Sequence, residues 1–427
     1  MNSNDIFVSL DIGTSSVKVI IGEMVNDSLN IIGVGNVRSE GLRKGSIVDI
    51  DETVHSIKEA MEQAERMIGM NIRQVIVGIS GNHVSLKPCH GVVAVASENR
   101  EIGNEDVSRV IDAAQVVSIP PEREIIDVIP KQFIVDGLDE INDPRGMIGV
   151  RLEMEGTIIT GSKTILHNTL RCVERAGLEI LDIVLQPLAA GAFALSKDEK
   201  NMGVVLIDMG GGSTTVGVFE NGHLSDTSVI PIGGEHITKD LSIGLRITTE
   251  DAEKVKIKHG HAFYDDASQD ELFNVPIIGT DQQEQFNQLE IADIIEARVE
   301  EIFHLVQDEL KAMGVRDIPG GFVLTGGVAD MQGVPELAQD VFQSRVRVAV
   351  PDYIGVRETQ FTTAVGLIKF AYKNAKLQGK VMETTFSEPE IKEKRVQKQP
   401  HPKTKPEKQQ ENKGPSKMKK FLGYFFE

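Results

Sequence analysis

The chain has 427 residues and a mass of 46.7 kDa, which at roughly 150 residues per domain is two to four domains. Its 40% hydrophobic and 26% charged residues suit a globular body, and a net charge of −19 argues against generic nucleic-acid binding. Two cysteines, Cys89 and Cys172, exclude a disulfide scaffold and a four-cysteine zinc site. The start, Met1-Asn2-Ser3-Asn4-Asp5, lacks a signal-peptide pattern, and no apolar run approaches the roughly 20 residues that span a bilayer.

Residues 6–10 form an apolar run that ends in Asp11-Ile12-Gly13, and 17–21 form a second β-rich run. The pattern predicts strand, tight turn, strand. Asp51 reads as an N-cap, followed by Val54, Ile57, Met61, Ala64 and Ile68 at helical spacing. Residues 72–79 are strand-like. Residues 83–162 change texture, with short strands, a helix near 104–117 and Pro120-Pro121, and read as an inserted subdomain. A helix over 163–176 ends at Gly177, and 179–185 is a strand. Gln186-Pro187 opens a small-residue helix over 188–195. After a polar break at 196–201, a strand over 204–207 enters Asp208-Met209-Gly210-Gly211-Gly212. Residues 229–299 are mixed and helical, with a polar loop near 264–288, in which His259 and His261 read as surface or loop histidines. A buried strand over 322–324 is closed by Thr325-Gly326-Gly327. Alternating strands and helices predict an α/β architecture.

Charge is unevenly spread. Of the 45 basic and 64 acidic residues, 11 and 6 lie in 388–427, a net of +5, which leaves 1–387 at −24. Residues 387–415 are rich in Pro, Glu, Lys and Gln and read as a disordered linker, spanning about 30 Å on average. At the tip, 416–427, a helix would gather Met418, Phe421, Leu422 and Phe425 into one stripe, which Phe426 extends. Lys417 and Lys419 flank it and Lys420 lies opposite. A basic amphipathic segment on a flexible tether predicts a membrane-surface anchor. One such tail binds weakly, and several on one polymer bind far more tightly through effective concentration.

A repeat carries the functional argument. Val8-Ser9-Leu10-Asp11-Ile12-Gly13-Thr14-Ser15-Ser16-Val17 aligns, 197 residues on, with Val205-Leu206-Ile207-Asp208-Met209-Gly210-Gly211-Gly212-Ser213-Thr214. Each copy is a strand, an Asp, and a Gly/Ser/Thr turn into a second strand. Such turns offer backbone N–H and hydroxyl donors to an anion. An Asp at the strand end repels bare phosphate but holds hydrated Mg²⁺, which prefers few carboxylates plus waters. Two such turns face to face would clamp a polyphosphate. The Gly-Gly turn after 322–325 would let a nucleoside lie against bare backbone. There is no Gly-x₄-Gly-Lys-Ser/Thr run, so this is not a P-loop protein.

These three elements resemble the phosphate-one, phosphate-two and adenosine motifs of the actin/Hsp70/sugar-kinase superfamily over roughly residues 6–372. Within it the whole chain resembles the FtsA family of bacterial cell-division proteins. The resemblance implies a two-lobed actin-like ATPase fold with ATP and Mg²⁺ in the cleft. It implies a first-lobe core of 1–82, 163–196 and 365–386, with the family's distinctive subdomain inserted at 83–162. A second-lobe core of 197–228 and 300–364 carries a further subdomain at 229–299. By motif match, Asp11, Gly13, Thr14, Ser15, Ser16 and Lys18 would line the first phosphate loop, and Asp208, Gly210, Gly211, Gly212, Ser213 and Thr214 the second. Asp11 and Asp208 would hold Mg²⁺ through water. Gly233 and Gly234 open the 229–299 subdomain near the nucleotide. Glu253, Lys256, Gly326, Gly327 and Val328 would adjoin the nucleoside. Gln186 would orient the attacking water, with slow turnover expected.

The same resemblance implies actin-like self-assembly on the inner face of the membrane and contact with other division proteins. It also implies tethering of the tubulin-like protein FtsZ, whose C-terminal peptide would dock on Ile294, Ile295 and Arg298. Two other readings of the same fold stand beside this one. One is a sugar or acetate kinase, which needs no tail anchor. The other is an actin-like shape-determining or pilus-assembly protein, less consistent with a C-terminal anchor.

Overall fold

The computed structural model describes residues 5–280, 282–379 and 386–387. The expectations for 388–415 and for the tip at 416–427 lie outside the described residues.

The chain begins with an antiparallel ladder, β1 (Asp5–Ile12), β2 (Ser16–Val25) and β3 (Ser28–Arg38), followed by the short pair β4 (Leu42–Arg43) and β5 (Ser46–Ile47). Helix α1 (Ile50–Ile68) is capped by Asp49, not Asp51. Asp49 has extended backbone, and its carboxylate accepts the N–H groups of Asp51 and Glu52 at 2.9 and 3.1 Å. Asp51 already lies in the first turn and pairs with Arg175 at 2.5 Å. Strands β6 (Asn71–Ile72) and β7 (Gln74–Ile79) follow.

The inserted segment comprises β8 (Ser85–Ala94), α2 (Asn104–Ala114), β9 (Arg123–Val135), β10 (Leu138–Ile141) and β11 (Arg151–Ser162). Its four strands form a separate sheet, in the order β10-β9-β11-β8, with α2 packed on it through Val107, Val110 and Ile111. Helix α2 stops at Ala114, three residues before the expected end. The chain then returns through α3 (Lys163–Arg175), β12 (Glu179–Leu185) and α4 (Gln186–Ala194). The first-lobe sheet has the order β12-β7-β1-β2-β3, with β12, β7 and β1 parallel. Strand alternation sends Val8 and Leu10 to one face and Phe7 to the other, so the sheet is covered on both sides.

The expected polar break at 196–201 is instead a helix, α5 (Lys197–Met202). Ser196 and Glu199 form its capping box. Then come β13 (Val204–Met209), β14 (Thr214–Glu220), β15 (His223–Ile230), α6 (Gly234–Leu245) and α7 (Thr249–His259). The expected loop at 264–288 contains a hairpin, β16 (Leu272–Pro276) and β17 (Gln283–Asn287). Helix α8 (Gln288–Ala312) runs unbroken across residues 299 and 300. Strand β18 (Phe322–Thr325), α9 (Val334–Phe342) and β19 (Val346–Val348) complete a second sheet, in the order β15-β14-β13-β18-β19. This is the connectivity of the first-lobe sheet, so the 197-residue repeat extends to whole sheets. Helix α10 (Thr362–Gln378) returns to the first sheet and crosses α4, and β20 (Phe386–Ser387) pairs with β6.

Glu199 ties α5 to β19. Arg347 donates to its carboxylate at 2.7 and 2.8 Å. These bonds, chiefly, hold the Glu199 carboxyl down from its ordinary 4.5 to about 2. A lowered carboxylate stabilises the fold fully above pH 4.5, and that contribution fades as pH falls toward 2. Arg347 is 42% exposed, so solvent screening reduces the effect. Glu199→Gln should cost about 1–2 kcal/mol at neutral pH. In urea melts across pH, the gap between wild type and variant should narrow only below about pH 5.

Candidate functional site

Both repeat turns close in the same way. The Gly13 N–H donates to the Ser16 carbonyl at 3.1 Å, and the Gly210 N–H to the Ser213 carbonyl at 3.0 Å. Each turn leaves an Asp at the end of its strand. Asp11 Oδ1 accepts from Gln186 Nε2 at 2.7 Å, and Asp11 Oδ2 lies 3.8 Å from Lys18 Nζ, its cross-strand neighbour. Asp208 Oδ2 accepts from Thr363 Oγ1 at 3.0 Å. Burial, and then the nearby Asp11 carboxylate, raise the pKa of Asp208. An Asp208 carboxyl whose ionisation is disfavoured beside a second carboxylate, at the ends of facing strands, forms with it a donor set that a divalent cation would relieve.

The two turns meet across a cavity of about 670 Å³, within the size range of nucleotide-sized ligands. Ser15 Oγ donates to Glu235 Oε1 at 3.2 Å, and the Gly45 N–H donates to Thr14 Oγ1 at 3.1 Å. The first N–H groups of α6 are turned onto the second loop. Those of Gly234 and Glu235 donate to the carbonyls of Gly210 and Gly211 at 3.0 and 2.8 Å. Deeper in, the buried Lys256 ammonium donates to Glu253, to Thr238 Oγ1 at 2.8 Å and to the Gly234 carbonyl at 3.2 Å. Gly326, Gly327 and Val328 close the opposite wall, and Thr359 Oγ1 fixes the Gly326 carbonyl at 2.6 Å.

The sequence-predicted residues Asp11, Gly13, Thr14, Ser15, Ser16, Lys18, Gln186, Asp208, Gly210, Gly211, Gly212 and Ser213 all line this one cavity. So do Gly234, Glu253, Lys256, Gly326, Gly327 and Val328. Gly233 stands just behind it as the N-cap of α6. Thr214 does not line it. Its side chain is fully buried and donates to the Ile232 carbonyl, and Thr215 faces the cavity instead. Strand alternation is the reason, since Thr214 repeats the core residue Val17 and Thr215 repeats Lys18. Sequence reasoning also missed Asp330, Glu358, Gln360 and Thr363, which reach the cavity from later segments.

The expected peptide-docking trio divides. Ile295 is fully buried in the second-lobe core and unavailable to a partner, because it lies on the inward stripe of α8 with Ile291 and Val299. Ile294 is partly buried. Arg298 bridges α8 to α6 by donating to Asp240 at 2.6 and 3.2 Å, and it also pairs with Glu301. His259 and His261 are packed rather than superficial. His259 stacks on Phe273 at 4.4 Å and bonds Glu271 at 2.6 Å, and His261 is buried.

Solved structures with the same arrangement are actin-like. The PilM–PilN type IV pilus biogenesis complex matches with a TM-score of 0.58 at 16% identity, covering 84% of this chain and 97% of that one. MreB5 of Spiroplasma citri bound to ADP matches at 0.54 and 15%, covering 87% and 98%. The MamK double helical filament matches at 0.51 and 11%, covering 86% and 99%. The protein is therefore a mixed α/β chain of the actin-like class, with an extra sheet inserted in its first lobe.

Its family is equally plain. The profile described as "Cell division protein FtsA" matches residues 205–366, and that described as "SHS2 domain inserted in FTSA" matches residues 81–160. Cell division protein FtsA of Bacillus subtilis (strain 168) is 63% identical over 440 residues, covering 100% of both chains. That of Enterococcus faecalis (strain ATCC 700802 / V583) is 44% identical over 371 residues, covering 87% of this chain and 84% of its own. The chain belongs to the FtsA family of cell-division proteins.

Proposed function

We propose that this protein binds ATP with Mg²⁺ between its two Asp/Gly turns, assembles into actin-like filaments, and tethers FtsZ filaments to the inner face of the membrane through its C-terminal tip. One observation carries the nucleotide reading. Two repeat-related turns, each with a strand-end Asp, face each other across a single cavity whose third wall is the Gly326-Gly327 turn. Their N–H and hydroxyl groups suit phosphate oxygens. Asp11 and Asp208 would hold the Mg²⁺, which when bound neutralises the polyphosphate. Gln186 is held by Asp11 at the cavity wall, which fits a residue that orients water and supports slow hydrolysis. The reading takes the subdomains as expected from sequence, with the one change that residues 288–312 form a single helix across the 299/300 boundary.

The FtsZ peptide would dock along the outer faces of α6 and α8, where Ile243 is 66% exposed beside Arg298 and Asp240. An acidic peptide would compete with Asp240 and Glu301 for Arg298. Membrane attachment rests on the amphipathic pattern of 416–427. Among the described residues no helix is long and apolar enough to cross a membrane, so contact would be peripheral. Vesicle flotation with ATP tests the reading, comparing the full chain with one ending at Gly414. Flotation of the full chain alone is expected. Flotation of both would place the lipid contact elsewhere, and flotation of neither would remove the tether.

A further inference from the structure

The body of this chain is strongly acidic, yet one of its faces gathers cations that form no ion pair among the described residues. Lys369 and Lys373 lie one turn apart on α10. Lys200 is on α5, His223 opens β15 and Lys131 is on β9. These five residues surround α4. Lys369 Nζ sits 5.1 Å from the Phe193 ring centroid and 5.7 Å from that of Tyr353, and Lys200 Nζ sits 5.8 Å from that of Phe219. Lys131 and His223 share one small cavity beside Leu188. Among the described residues none of the four lysines forms an ion pair. The carboxylate nearest in sequence, Glu199, is taken by Arg347, and Asp27 is taken by Lys376 on another side of α10.

The cations feel each other. Burial, and then the charge of Lys373, lower Lys200 to about 8 against the attraction of Glu199. Burial, Lys131 and Lys373 together lower His223. Like charges gathered on one face repel one another, and an anionic partner would relieve them. Lys131 and Lys373 are exposed and free to meet it.

We propose that this lysine face is a second membrane contact, which docks on the phosphates of anionic lipid headgroups. The inference rests on the tethered-tail reading above. Its occupant follows from where the chain goes next. Lys373 stands five residues, about 8 Å, before the end of α10; the chain is next described at Phe386–Ser387, paired with β6 of the same lobe, and residues 388–427 follow it in sequence. A tail that enters a membrane holds the lobe near it, and the acidic body then needs a cationic face to approach an anionic surface.

The test uses the full chain, the full-length double variant Lys131→Gln with Lys373→Gln, the matching double Arg variant, and a chain ending at Gly414. Binding is titrated on phosphatidylglycerol-containing vesicles and on pure phosphatidylcholine vesicles. The Gln pair should weaken binding to anionic vesicles about 25-fold, about fivefold per lysine, and leave binding to neutral vesicles unchanged. The Arg pair should bind as wild type, with melting temperatures excluding misfolding. Wild-type binding by the Gln pair overturns the proposal, as does equal loss on neutral vesicles. Altered self-association without lipid also overturns it, because the face would then serve a second copy of the chain. If the chain ending at Gly414 binds as tightly as the full chain while the Gln pair still loses affinity, the tail reading fails and the lysine face stands.

Discussion

Replacing Gly326 by alanine should abolish nucleotide binding. Gly326 has φ +86, a left-handed conformation costly for any residue with a side chain. An added Cβ would also lie 2.4 Å from Asp208 Oδ1 and 2.6 Å from the Met209 carbonyl. Neither atom can retreat without cost. Met209 ends a buried strand paired with β14, and Asp208 is a proposed Mg²⁺ residue at a strand end. The methyl group therefore pushes apart the second Asp/Gly turn and the wall proposed to hold the nucleoside. Affinity for a fluorescent ATP analogue should fall by at least 100-fold. The strain should also destabilise the fold by about 1–3 kcal/mol. Gly327→Ala, on the same turn, meets no atom closer than 4.0 Å and should bind nearly as wild type. Equal loss in both variants would point to loop disorder rather than this contact.

Gly366→Ala should produce the largest loss of stability. Gly366 lies in the middle of α10, where α10 crosses α4. An added Cβ would stand 1.9 Å from the Ala189 carbonyl oxygen and 2.5 Å from its carbon. Both are helix backbone, so the two helices must separate. They lie over the first-lobe sheet, and Leu367, Ile368 and Ala371 of α10 are fully buried there. Overpacking of this kind costs about 1–3 kcal/mol, and a backbone contact this close belongs at the upper end. The substitution raises helix propensity by about 1 kcal/mol in an exposed helix, so a net loss measured by urea unfolding isolates the crossing contact. Helix α4 also carries Gln186, and the shift should slow ATP hydrolysis more than it weakens ATP binding. A variant as stable as wild type would contradict the close crossing.

The site was legible where its signal is local. A buried strand, an Asp and a Gly-rich turn occupy ten residues, and both copies can be aligned by eye at a separation of 197. The same offset carries further than the turns. It relates Lys18 to Thr215 and so marks Thr215, rather than Thr214, as the cavity-facing residue. It also anticipates two sheets of the same connectivity. Other parts depend on partners far along the chain. Thr363 reaches Asp208 across 155 residues, and Arg298 reaches Asp240 across 58. No periodicity records such contacts. Ile294 and Ile295 look alike in sequence, and only the angle of α8 against its sheet decides that Ile295 is core. The hairpin β16–β17 was hidden because Gln283, Glu284 and Gln285 lack the branched and aromatic residues that mark strands. The cap of α1 was misplaced because Asp49 and Asp51 are both plausible caps, and backbone angles alone separate them.

The most direct test of the account is calorimetric titration of the full chain with ATP, in Mg²⁺ and then in EDTA, repeated with Asp208→Asn. Binding at one site per chain, weakened at least tenfold both by EDTA and by the substitution, is the predicted result. Absence of binding in Mg²⁺ would contradict it, and so would affinity unchanged by EDTA and by Asp208→Asn together, because either outcome would leave the facing Asp/Gly turns without the role assigned to them.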